Sequence, residues 1–155
     1  MSVLISIFKN PFAVTALSSW GIAQILKVFI HWIVVKKFEF SRLFGDGGMP
    51  SGHSATVSSL ATISGLMCGF SSFEFAMSAI LAIVVCHDAM GVRRETGRQA
   101  VILNEIMGYF ENLVSNDNLP GEKLKEFVGH TPFQVLAGIL LGIVNAIIMY
   151  NFIFK

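Results

Sequence analysis

Charge is scarce in this chain. Of 155 residues, 11 are basic and 10 acidic, 14% together, against about 25% in an ordinary soluble domain. So few ionic groups would barely cover a water-soluble globule, which argues against one. With 54% of its residues hydrophobic, the chain does not fit the low-hydrophobicity signature of disorder either. A net charge of +1 leaves no cationic surplus for polyphosphate backbones, so no nucleic-acid partner is expected. Cysteine is almost absent. Cys68 and Cys86 each lie in an apolar stretch and read as small buried hydrophobes rather than a disulfide framework or metal site. No cluster of carboxylates is spaced to hold a metal, and no cofactor is implied. What remains is a single integral membrane domain, residues 1–155, whose first expected partner is the bilayer.

Long apolar runs are what the sequence does have. Phe12 to Val35 forms a 24-residue run. As a helix it reaches about 36 Å, enough to cross a ~30 Å hydrocarbon core. Its length and weakly charged flank favour a retained span over a signal peptide. Asn10-Pro11 marks its start. Gln24 and Lys27 lie within it. Lys27 either faces a protein interior or snorkels towards the interface. Further spans are expected at Ser54 to Phe70, Phe73 to Met90 and Pro132 to Phe154. The second is rich in Ala, Ser, Thr and Gly, and the last carries Gly138 and Gly142 at G-x-x-x-G spacing. Both patterns permit close helix approach, within the chain or in a homodimer. From Gln99 to Val114, apolar Ile102, Ile106, Phe110 and Leu113 recur at helical spacing among polar residues. That segment reads as an amphipathic helix, lying on the membrane or packed over the core. The expected fold is an all-α polytopic bundle of about four spans plus this helix. Counted through four spans, the 36–53 loop, the 87–98 segment and the 115–131 connection share one face.

Three constellations on that face can carry chemistry. Gly47 to Ser54 reads GGMPSGHS: small residues before a helix expose backbone N–H groups and the positive dipole end to an anion. Within it, Ser51 can donate a hydroxyl or cap the helix, and His53 stands at the helix mouth. Asp88 is followed by Arg93, Arg94 and Arg98, whose guanidinium forks suit a phosphate. An unpaired Asp88 at a span's end would be costly, so it should pair with an arginine or orient a histidine. His130 directly precedes the last span. Two histidines beside an arginine cluster fit phosphoryl transfer, one as nucleophile and one as proton donor to the leaving oxygen, with arginines holding the developing charge.

PSGH at 50–53 and GHTPFQVLAGILLG at 129–142 resemble two signatures of the type 2 phosphatidic acid phosphatase superfamily. That superfamily includes lipid phosphatases, bacterial acid phosphatases and vanadium haloperoxidases. The closer match is its small divergent membrane branch, and it extends through AQILK at 23–27, GGMPSGHSA at 47–55 and DAMGVRRETGRQAVILN at 88–104. The resemblance implies that His130 is a nucleophile forming a phosphohistidine and that His53 is the general acid. It implies phosphate contacts from Ser51, Gly52 and the arginines. No arginine closely precedes His130, so Arg93, Arg94 or Arg98 would take that role. Lys36 and Arg42 fall one residue short of the first signature's spacing, and Lys27 or Lys37 can supply its lysine. Gln134 stands where the superfamily has an aspartate that orients the nucleophile. Gln134 can accept a hydrogen bond but cannot balance an imidazolium charge, a part open to Asp88.

The activity this implies is hydrolysis of a lipid or isoprenoid phosphomonoester. The alternative is a non-catalytic binder or transporter of lipid phosphates. Lys36, Lys37, Lys123 and Lys125 lie on the face of the three constellations, against Lys9 and Lys155 on the other. The positive-inside rule then turns that face to the cytoplasm.

Overall fold

A computed structural model describes residues 8–36, 48–114, 124 and 129–155. Arg42 lies outside the described residues, as does the side chain of Arg93. The described chain is helical: α1 (Pro11–Val35), α2 (Gly52–Cys68), α3 (Phe73–Met90), α4 (Val92–Val114) and α5 (Pro132–Met149), the last running on into a π-helical turn over Tyr150–Phe154.

Local chemistry sets the boundaries. The Asn10 side chain accepts hydrogen bonds from the N–H groups of Phe12 and Ala13, with Pro11 at the first helical position. Ser51, Ser72 and Thr131 cap α2, α3 and α5 in the same way. These caps satisfy donors that water cannot reach inside a bilayer. At the other ends, Lys36 in the left-handed region closes α1 and Gly69 (φ 92°) closes α2.

The centre of the bundle is α2, which packs against α1, α3 and α5. Its buried residues are Gly52, Ser54, Ala55, Ser58, Ser59, Ile63, Ser64 and Gly65. The core is therefore made of small side chains. Large apolar ones point outward: Ile25, Phe29, Ile80, Ile83 and Leu140 are all exposed. Lipid solvates such residues as well as a protein interior would, so close backbone approach and hydrogen bonding hold the helices together instead. A Cβ on Gly138 would lie 2.5 Å from the Ser51 carbonyl oxygen, and one on Gly142 would collide with Ser58 and Ala55. The glycine pair thus serves an interface within the chain. Ser58 Oγ reinforces it by donating to the Ile139 carbonyl at 3.3 Å. Between α1 and α5, buried Asn145 donates to Ser19 Oγ (2.7 Å), Ser18 Oγ (2.9 Å) and the Thr15 carbonyl (3.4 Å).

Among the described residues three helices are long and apolar enough to cross a membrane, within Pro11–Val35, Phe73–Phe110 and Pro132–Phe154. The sequence predicts a fourth span over the segment that forms α2. At 17 residues this helix is about 25 Å long, at the lower limit for a span, and it carries the chain from the end of the bundle where α5 starts to the turn that begins α3. Its serines are shielded by the helices around it rather than by lipid. Cys86 is buried as expected, whereas Cys68, at the last position of α2, is exposed.

Among the described residues α4 packs chiefly against α3. Its apolar stripe of Ile102, Ile106, Tyr109 and Phe110 is exposed. Asn104 on this helix exchanges two hydrogen bonds with the backbone of Leu124, both 2.9 Å.

Candidate functional site

The start of α2, the start of α5 and the end of α3 meet at one end of the bundle. Ser51 N–H donates to the Gln134 carbonyl and His130 N–H donates to the Ala89 carbonyl, both at 3.0 Å. These two bonds tie the three termini together and place the Pro50–His53 and Gly129–Gln134 motifs on the same rim.

His130 is buried, with only 5% of its surface exposed. Gly129 before it adopts φ 98°, a backbone state open to glycine and strained for other residues. Gln134 lies one turn into α5 and does two things at once. Its backbone N–H donates to Thr131 Oγ1, and its side-chain Oε1 accepts from Thr131 N–H at 3.0 Å. That capping box holds Oε1 3.3 Å from His130 Nδ1. An Nδ1–H tautomer can donate to this oxygen, which leaves the ring's lone pair on Nε2. The glutamine thus stands in the orienting position, while Asp88 is half-buried at the end of α3.

At the start of α2, Ser51 is wholly buried and serves as the cap: its Oγ accepts from Ser54 N–H at 3.3 Å and lies 3.0 Å from Ser54 Oγ. Two residues on, His53 is exposed. Gly52 is covered by α1, with Lys27 Nζ and Trp20 Nε1 each 3.8 Å from where its Cβ would be. The stem of Lys27 also runs beside Gly48, which adopts φ 84°. Lys27 is 8% exposed, so it does not snorkel. Its ammonium sits inside the bundle at the positive end of α2, where cationic and dipolar fields add. Gln24 is buried on the same face, and its Oε1 has no hydrogen-bond partner among the described residues.

Lys27 precedes Val35 by eight residues, so α1 rises about 12 Å beyond it. Trp32, Ile33 and Val34 on those last turns are exposed. The site is therefore recessed from the tip of the bundle. Lys36, at the end of α1, is exposed and belongs to that tip rather than to the recess.

Of the expected arginines, two have described side chains. Arg94 and Arg98 are exposed on α4. Arg98 makes a 2.8 Å ion pair with Glu95, both side chains more than half exposed. Sequence reasoning also missed Trp20. Trp20, Gln24, Lys27 and His31 are spaced four, three and four residues apart, which is one helix face. That polar stripe in an apolar run was the available signal.

A Bacillus subtilis (strain 168) protein described as "Uncharacterized membrane protein YuiD" is 39% identical over 138 residues, covering 84% of this chain and 87% of the relative. No solved structure matches. The family model described as "Divergent PAP2 family" matches residues 8–145, nearly the whole bundle. By that match and the bacterial relative, the chain belongs to the divergent PAP2 family.

Proposed function

We propose that this membrane protein hydrolyses a phosphomonoester of a lipid or isoprenoid through a phosphohistidine on His130. The observation that carries the reading is the setting of His130, buried and held by Gln134 Oε1, beside a helix start onto which Lys27 converges. A cation and a positive helix end brought together inside the bundle favour an anion between them. Family membership supports the phosphate class, although fold-level kinship alone does not establish an activity.

In the proposed reaction the phosphate sits at Gly52 and Lys27. Nε2 of His130 attacks phosphorus as the ester P–O bond breaks, and His53 gives its proton to the departing oxygen. Water then attacks the phosphohistidine, His53 takes up a proton from it, and inorganic phosphate leaves. Arg94 and Arg98, on the first turns of α4 just past the rim end of α3, would neutralise the charge that develops on the phosphate. A site recessed within the apolar length of α1 favours substrates that arrive through the bilayer. We assign the rim to the cytoplasmic face on the lysine count given above.

The test is phosphate release by purified protein from phosphatidic acid, phosphatidylglycerol phosphate and polyprenyl phosphates. Release that disappears in His130→Ala supports the assignment, and release that survives it refutes His130 as nucleophile. A second reading, binding without turnover, is favoured by two observations: Gln134 carries no charge to stabilise an imidazolium, and Arg98 is engaged with Glu95. Saturable binding of these lipids by a wild type that releases no phosphate would establish it.

A further inference from the structure

A groove of about 520 Å³ opens between α2, α3 and α5. This size lies within the ~300–1,000 Å³ range of small-molecule sites. Its floor is small: Ala61 from α2 and Ala79 and Ala82 from α3, with Ile139 and Ile143 of α5 opposite. At one end it reaches His87 and Met90, flanking the Ala89 carbonyl that accepts from His130 N–H. At the other end it stops at Phe75, which is braced edge-on by Phe70 at 5.1 Å.

We propose that this groove holds the hydrocarbon chain of the phosphate ester whose headgroup sits at His130. The inference rests on the phosphatase-site reading for its headgroup and adds the substrate's shape. Three features select this occupant. The groove reaches the last turn of α3, whose Ala89 carbonyl accepts from His130 N–H. It lies along a span, at depths where the surroundings are hydrocarbon. It also has a length: Phe75 and Met90 are 15 residues apart on α3, about 22 Å, against roughly 15 Å for one leaflet of a ~30 Å core. The groove therefore has the length for a linear chain, with the Phe70–Phe75 pair as its end stop. Ile83 on its rim is exposed, which leaves a sideways entry from the bilayer.

Photo-crosslinking tests the groove without requiring turnover. A long-chain alkyl phosphate bearing a diazirine at the chain terminus is irradiated with the full-length protein in lipid nanodiscs, and the label is mapped by mass spectrometry. The proposal expects label concentrated on Phe75, Ala79 and Ala61. Label spread evenly over lipid-facing residues such as Ile80 and Leu140 would mean bulk bilayer chains and overturn it. In parallel, Ala82→Phe fills the groove and should raise the KM for the long-chain phosphate about tenfold, with the KM for chainless para-nitrophenyl phosphate kept within twofold. Equal effects on both esters would also overturn it. A wild type that releases phosphate from neither ester refutes the phosphatase reading alone, and the labelling pattern then decides the groove.

Discussion

Replacing Gly138 with alanine should couple a packing defect to a loss of function. The new methyl group would stand 2.5 Å from the Ser51 carbonyl oxygen, 3.0 Å from Ser54 Cβ and 3.3 Å from Ala55 N. Two of these are backbone atoms of a capped helix start and cannot rotate away. Ordinary contact needs about 3.5 Å, so α2 and α5 must separate by roughly 1 Å. Overpacking of this kind costs about 1–3 kcal/mol, or about 2–12 °C in Tm for a chain of this size. The same separation stretches the Ser51–Gln134 bond and moves the α2 start, with His53, away from His130. A 1 Å misplacement of reacting groups can cost ~100-fold in rate. Gly21→Ala is the control, because nothing lies within 4 Å of its added carbon and alanine is the better helix former. Thermal unfolding in detergent and phosphate release would be measured for both. Should Gly138→Ala match Gly21→Ala in Tm and turnover, the close-approach argument for this interface is wrong.

Asn145→Leu removes three donated hydrogen bonds between α5 and α1; at roughly 0.6 kcal/mol each in a membrane bundle, the loss is about 2 kcal/mol, visible as a lower Tm with activity retained below the transition. Lys27→Met keeps the apolar stem and deletes the ammonium beside Gly52. A charge-assisted bond of about 1.5–3 kcal/mol predicts a KM for a lipid phosphate at least tenfold higher, and an unchanged KM would remove Lys27 from the site. Single cysteines introduced at Asp46 and Asn118, in otherwise cysteine-free protein, should resist an impermeant thiol reagent applied to intact cells and react after lysis. Labelling of intact cells would place the rim outside.

Much of the fold could be read from local chemistry. Asn10 and Ser51 announce helix starts because a cap needs one side chain and the three residues after it. The amphipathic pattern of α4 was legible for the same reason. The site was legible only as two motifs, PSGH and GHTP. That both reach one rim depends on helix direction, which the alternation of spans supplies. That Gln134 caps α5 and reaches His130 Nδ1 with the same oxygen could not be read from spacing, because the side-chain rotamer decides it.

Composition and periodicity by themselves determined a helical membrane protein with its polar motifs gathered at helix ends, because hydrocarbon tolerates only backbone that is internally hydrogen-bonded. Tertiary structure alone decided which helix lies at the centre. The small residues of α2 and the glycine pair of α5 permit close approach within the chain or in a dimer, and only the folded bundle shows that these two backbones touch each other. The same packing decided that Lys27 turns inward to Gly52 while Arg98 faces outward to Glu95. Both are long cations, but Lys27 is enclosed by α2, a helix distant in the chain, whereas Arg98 pairs within its own helix.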